Sequence, residues 1–206
     1  MKKGIFITFE GIDGSGKTSL SKLVFEKLVS KGITGVHTFE PTDSFIGKAI
    51  REIILFSDEK LSVSQQILLF TTDRISHCAW IQQKLLDFQF VICDRFIHST
   101  LAYQGIDEKK VQSIYTIHDL FLKKFEPDIV FLIDIQPEIS LQRIGKEKTD
   151  NFEKVEFLSE VRIRYLNMAK ANPDKFIILD GVSPLDELLD IVLDFLSSRF
   201  GLIKEA

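Results

Sequence analysis

Short, nearly unbroken apolar runs alternate along this chain with longer stretches in which apolar residues recur at helical spacing. The runs are Ile5 to Phe9, Val36 to Phe39, Phe90 to Cys93, Ile129 to Ile133 and Phe176 to Leu179. Runs of this length without alternating polar positions read as parallel strands buried on both faces. Leu20, Leu23, Val24, Lys27 and Leu28 then follow the helical period and need a helix leading away from the first strand. The same period predicts helices over Phe45 to Phe56, Ser62 to Asp87, Glu108 to Phe125, Pro137 to Arg143, Lys154 to Ala171 and Pro184 to Arg199. Pro137 and Pro184 suit first helical turns, where a missing N–H costs nothing. Strands alternating with helices predict an α/β fold, a five-stranded parallel sheet flanked by helices in three layers. The polar stretch Gly145 to Phe152 has the weakest period and reads as a mobile loop between helices.

Composition narrows this picture. The chain has 206 residues, 45% apolar and 27% charged, and no repeat, low-complexity tract or linker, so it reads as one domain over 1–206. A chain of this size builds a core without staples. Its two cysteines, Cys78 and Cys93, have neither the number nor the spacing of a disulfide scaffold or metal cluster, which points to a reducing, cytoplasmic setting. The apolar stretch before Glu10 is too short for a signal segment or a membrane span, so no membrane partner is expected. A net charge of −4 argues against a nucleic-acid partner, because phosphate polymers demand a basic face. Small anions stay open, and with 26 basic residues of which only seven are arginine, each arginine position is informative.

The chemistry begins at Gly11, Ile12, Asp13, Gly14, Ser15, Gly16, Lys17 and Thr18, which match G-x-x-x-x-G-K-[ST] between a predicted strand and a predicted helix. Glycines let the backbone N–H groups curl around phosphate oxygens, and the helix N-terminus adds its partial positive charge. Lys17 reaches toward the β- and γ-phosphates, and the Thr18 hydroxyl is placed for Mg²⁺. An ATP- or GTP-dependent protein follows, with its phosphate acceptor unspecified. Asp94 and Arg95 close the third strand at the end where parallel sheets present ligand crevices. An arginine there can fork onto an anion, and the aspartate can hold a metal-bound water, although a surface ion pair would look the same. Ser99 to Gly105 offers hydroxyls and an amide suited to a base edge, or simply a polar helix start. His37, His77, His98 and His118 lack metal-ligand spacing, and no Ser-His-Asp order with a nucleophile elbow occurs.

Taken together these residues resemble the thymidylate kinases across nearly the whole chain. The F-x-x-F-E-G-x-D-G-x-G-K-T start, the pair Glu40-Pro41 and the string from Asp94 to Gly105 are similar to that family in order and spacing, and the Ala-Tyr-Gln-Gly ending to its bacterial members. The resemblance implies a P-loop kinase that passes the γ-phosphoryl of ATP to dTMP, with Mg²⁺ as cofactor, Lys17 and Arg95 among its catalytic residues and a homodimer as its assembly. It implies that Asp13 meets the 3′-hydroxyl of dTMP and that Glu40 lies near the acceptor phosphate and metal. Arg51 and Arg95 would clamp that phosphate, and two positive forks suit a dianion. Phe70 and Arg74 would stack on thymine and donate to its edge; their i, i+4 spacing puts them on one helix face, although Phe70 alone would read as core. Ser99, Thr100 and Gln104 would read the pyrimidine, with Tyr103 near the sugar.

The family also implies a mobile lid, here at about 143–153, carrying Arg143, Lys146 and Lys148. Members of the eukaryotic type carry an arginine where this chain has Gly14, and bacterial members carry theirs in the lid, so the chain reads as bacterial type. It departs from the family twice. Phe39-Glu40-Pro41-Thr42-Asp43-Ser44 replaces Arg-Glu-Pro-Gly-Gly-Thr, and Asp150-Asn151-Phe152-Glu153 lacks the usual lid arginine. Either Lys148 or Arg143 substitutes, or turnover is slower. Two alternatives stay open: a kinase for another nucleotide or deoxynucleoside, and a nucleotide sensor without turnover.

Overall fold

The computed structural model describes residues 4–56, 61–123, 125–145 and 151–203. Five strands, β1 (Ile5–Glu10), β2 (Gly35–Phe39), β3 (Phe90–Asp94), β4 (Ile129–Asp134) and β5 (Phe176–Asp180), form one parallel sheet in the order β2-β3-β1-β4-β5. The helices between them are α1 (Lys17–Ser30), α2 (Phe45–Phe56), α3 (Val63–Asp87), α4 (Ile97–Gln104), α5 (Glu108–Leu122), α6 (Pro137–Arg143), α7 (Asn151–Ala171) and α8 (Leu185–Phe200).

Strand alternation sorts the core onto two faces. Ile7, Phe9, Ile92 and Phe131 point one way, onto Leu20, Val24 and Leu28 of α1 and Val192 and Leu196 of α8. Phe6, Val91 and Cys93 point the other way, onto Ile81 and Leu85 of α3 and Leu101 of α4. Val130 and Leu132 continue that second face onto Val161 and Tyr165 of α7. The three central strands are thus buried on both sides, as their unbroken apolar runs require. The edge strands differ: β2 is half-buried along most of its length, and β5 exposes Ile178. An edge strand has a neighbour on one side only, and apolar runs do not distinguish edge from centre.

The helices start and stop for local reasons. Ser62 caps α3 in a reciprocal box with Gln65, and Asp107 caps α5 by accepting from the Lys110 N–H. Pro137 occupies the first turn of α6, whereas Pro184 falls just before α8 as its cap. Ser99 to Gln104, read as a base-edge segment or a polar helix start, lie within the two-turn α4, and Gly105 caps it. Helix α7 begins at Asn151, three residues before the expected Lys154, and takes the end of the expected lid into its first turn. Lys146, Lys148 and Asp150 lie outside the described residues.

Register sets the site. Phe39 of β2 and Phe9 of β1 both pair with Asp94 of β3, so the C-terminal ends of these three strands finish level. Glu10, Glu40 and Arg95 are the residues that leave this edge, the ligand-bearing side of parallel sheets.

Candidate active site at the strand ends

The loop from Gly11 to Lys17 wraps the end of β1 in a conformation that side chains would obstruct. Gly11 has φ +147°, and a Cβ there would come within 2.6 Å of the Ile133 carbonyl oxygen. Gly14 has φ +76°, with a would-be Cβ 2.5 Å from the Ser140 carbonyl oxygen. The loop is therefore seated against α6, where the buried Ser140 hydroxyl donates to the Asp13 carbonyl. Arg143, at the end of α6, reaches the Ser15 carbonyl at 3.5 Å. Inside the loop the Lys17 ammonium donates to the Ile12 carbonyl at 3.2 Å and lies 3.9 Å from Asp13. Burial, with the neighbouring Arg95 charge, lowers the Lys17 pKa to about 8. Phosphate oxygens would restore the full charge.

Asp94 meets the loop from β3. The Thr18 hydroxyl donates to its Oδ2, while its Oδ1 is buried without a hydrogen-bond partner among the described residues. A buried carboxylate oxygen left over beside a threonine hydroxyl is the donor chemistry that suits a hydrated Mg²⁺.

Beside the loop opens a cavity of about 700 Å³. Asp13, Glu40, Arg51, Phe70, Arg74, Arg95, Ser99, Thr100, Tyr103 and Gln104 all line it, so every residue expected to meet the acceptor nucleotide is brought to one space. They come from the phosphate loop, the ends of β2 and β3, and helices α2, α3 and α4. Arg95 donates to Asp13 and to Ser99, and its guanidinium lies 5.5 Å from the centre of the Tyr103 ring. The Asp13 N–H donates to the Tyr103 hydroxyl at 3.2 Å. Phosphate loop and acceptor cavity thus share a wall at Asp13.

The deep wall is held by ion pairs. Arg74 donates through Nε to Glu40 at 2.8 Å and through a terminal nitrogen to Thr100 at 3.0 Å. The other Glu40 oxygen meets His77 Nδ1 at 3.0 Å, and His77 Nε2 meets the Thr38 hydroxyl at 2.8 Å. Burial works against the Arg74 charge, but Glu40 outweighs it and holds the guanidinium above its ordinary pKa. Gln104 donates to Gln66 at 3.0 Å, which fixes its amide orientation.

Arg51 donates to the carbonyls of Pro41 and Thr42 and to Asp43. The substituted segment Thr42-Asp43-Ser44 is also held from α3, where Asp73 accepts from the Thr42 N–H, the Thr42 hydroxyl and the Ser44 hydroxyl. Of the two residues that stand where the family has glycines, Thr42 gives its hydroxyl to Asp73 and Asp43 gives its carboxylate to Arg51, and both contacts tie the loop down. Sequence reading overlooked Asp73, although it directly precedes Arg74, and also Gln66, Glu10, Tyr165 and Phe157. Phe157 of α7 lines the cavity and packs edge-on against Tyr103 with ring centres 6.0 Å apart. Phe157 belongs to no short motif, so only the packing of α7 reveals it. Among the described residues no group of three metal-binding side chains occurs, and no helix is long and apolar enough to cross a membrane.

A phosphate loop on the central strand of a parallel sheet, opposite a strand-end aspartate and next to a nucleotide-sized cavity with arginines, hydroxyls and an amide set in apolar walls, defines a P-loop nucleotide kinase. The family model described as thymidylate kinase matches residues 9–191. The chain belongs to the thymidylate kinase family. It is 34% identical to the thymidylate kinase of Orientia tsutsugamushi (strain Ikeda), over 95% of this chain and 94% of that protein. It is 38% identical to that of Sulfurihydrogenibium sp. (strain YO3AOP1), over 95% and 98%. A crystal structure of thymidylate kinase from Ehrlichia chaffeensis matches with a TM-score of 0.76 and 32% identity, covering 94% of this chain and 98% of that one.

Proposed function

We propose that this chain transfers the γ-phosphoryl group of ATP to dTMP, giving dTDP and ADP. The observation that carries the reading is the single cavity lined by all ten expected acceptor residues and joined at Asp13 to the phosphate loop. Positioning and electrostatics supply most of the catalysis in this reaction class. The loop N–H groups and Lys17 bind the ATP phosphates, and Arg95 and Arg51 draw the acceptor phosphate toward them. An acceptor phosphate oxygen then attacks the γ-phosphorus in line, without a covalent enzyme intermediate. Phe70 covers the thymine ring, while Arg74, held by Glu40, and Thr100 and Gln104 meet its polar edge. Tyr103, which lines the cavity, would pack near the sugar where a ribose 2′-hydroxyl would need room, which favours the deoxy sugar.

Thr18 and, through water, Asp94 would hold Mg²⁺, which when bound screens the phosphate charge. Arg143, Lys146 and Lys148 supply lid charge to the transferring group. Arg143 stands beside Ser15 of the loop, and this supports its part in that role. A homodimer belongs to the same reading, supported by Leu68, Trp80 and Leu86, which α3 leaves exposed. So does a cytoplasmic setting, supported by Cys78 and Cys93 as buried free thiols.

The test is ADP release with ATP, Mg²⁺ and a panel of dTMP, dUMP, dCMP, UMP, thymidine and no acceptor. Preference for dTMP is expected. Preference for another acceptor overturns the substrate assignment, and tight ATP binding without acceptor-dependent turnover identifies a sensor.

A further inference from the structure

Glu10 closes β1 and is wholly buried, yet it has no part in the roles described so far. A carboxylate in such a place is unfavourable unless its oxygens are satisfied. Three donors satisfy them. Oε1 accepts the Phe96 N–H at 2.8 Å, and Oε2 accepts the Ser99 hydroxyl at 2.6 Å and the Tyr165 hydroxyl at 2.9 Å.

These donors bracket Arg95. Its φ of 71° is in the left-handed region, where the Cβ of a non-glycine residue crowds the backbone. The Arg95 N–H donates to the Phe9 carbonyl at 3.0 Å, and the next N–H, that of Phe96, goes to the Glu10 side chain. The last two residues of β1 therefore hold the strained turn, one by its backbone and one by its carboxylate. The same carboxylate acts on the guanidinium. Ser99 has one hydroxyl proton; when it goes to Glu10, an oxygen lone pair is left to accept from Arg95 Nη1 at 3.1 Å.

We infer that Glu10 is the positioning residue for Arg95, holding its backbone turn directly and its guanidinium through Ser99, so that the arginine meets the acceptor phosphate. Ser99 then serves the cavity through Arg95. Glutamine at position 10 would present one acceptor oxygen to three donors and remove the charge opposite the arginine. The inference rests on the reading of Arg95 as an acceptor-phosphate residue.

The experiment compares the unaltered chain with Glu10→Gln, Ser99→Ala and the double variant, using the monophosphate the unaltered chain phosphorylates best. Glu10→Gln should raise the acceptor KM roughly 10-fold while the ATP KM stays within about 2-fold. Ser99→Ala should raise the acceptor KM by about 5-fold, and the double variant should exceed Glu10→Gln by no more than about 2-fold, because the Ser99 contact is one of the two through which Glu10 acts. An unchanged acceptor KM, equal rises in both KM values, or fully multiplicative effects would overturn the inference. If Glu10→Gln does not fold, an unchanged acceptor KM in Ser99→Ala overturns it alone. A best acceptor other than dTMP overturns the substrate reading and leaves the Glu10 comparison running on that acceptor. No turnover with any acceptor overturns both.

Discussion

Arg74 and Glu40 form an ion pair with both side chains at most 5% exposed, one oxygen of the carboxylate taken by the arginine and the other by His77. The residue expected to read the base is thus inseparable from the residue that balances its charge. Removing either partner strands the other in the core, a loss of about 3–5 kcal/mol. Arg74→Ala should therefore lower both the dTMP preference over dCMP and the stability. Pairing it with an uncharged residue at position 40, as in Glu40→Gln/Arg74→Met, should recover most of the stability and none of the selectivity. Denaturant melts and kcat/KM ratios for the two nucleotides separate these effects; stability of the double variant no better than that of Arg74→Ala would refute the coupling.

Gly14 sits where family members of the eukaryotic type are expected to carry an arginine. Gly14→Arg should not restore a catalytic arginine here, because φ +76° and the Ser140 carbonyl 2.5 Å from the would-be Cβ oppose any side chain. We expect kcat to fall more than about 10-fold with a lower Tm. Wild-type turnover in a folded Gly14→Arg protein would show that α6 yields.

Lys17 should report nucleotide binding as proton uptake. Its pKa of about 8 rises when phosphates surround it, so near pH 8 binding should take up about half a proton, and near pH 6.5 almost none from this group. Titration calorimetry in buffers of different ionisation enthalpy measures this. Equal uptake at both pH values would assign the proton to another group.

Glu10 should make stability depend on pH in the sense opposite to an ordinary salt-bridged carboxylate. Burial raises its pKa from 4.5 to about 7, against the opposing hydrogen bond of Ser99 and the charge of Arg95. Other charged or titratable groups that sense it are Lys17 on α1, Arg74 on α3, Cys93 on β3, His98 on α4 and Tyr165 on α7. Between these two values the folded chain keeps a proton that the unfolded chain has lost, so this contribution is complete below pH 4.5 and gone above about pH 7. Relative to Glu10→Gln, the unaltered chain should lose about 1.4 kcal/mol per pH unit across that window. Denaturant midpoints of the two proteins at pH 5 and 7.5 test the sign, and parallel changes would refute it.

Lys148→Ala should chiefly lower kcat, by 10-fold or more if it supplies charge to the moving phosphoryl group. Arg143→Ala provides the comparison within the described fold. A Lys148→Ala protein with normal kcat and an impaired Arg143→Ala protein would assign the charge to Arg143 alone.

Much of this was legible along the chain. Five apolar runs of strand length and the helical periods between them carry the α/β order, because burial on a sheet face or a helix stripe is a local pattern. The phosphate loop was legible because its backbone curl and its lysine come from eight consecutive residues, whereas Phe70 and Arg74 were reached through the family resemblance and the fold adds that both line the cavity. By contrast, the partners of those residues are distant in sequence. Glu40 meets Arg74 across 34 positions, Phe96 meets Glu10 across 86, and Tyr165 meets Glu10 across 155.

The sequence by itself thus determined the sheet-and-helix alternation, the phosphate loop and the residue types offered to an acceptor nucleotide. Tertiary structure alone decided that Ser99 gives its proton to Glu10, that Asp73 ties down the altered loop, that Phe157 walls the cavity and that β2 and β5 are edges. The physical reason is that a hydroxyl, a carboxylate or a ring acquires its task from the group it faces. In a parallel sheet those facing groups are brought together by crossovers and strand order, which no local pattern of residues records.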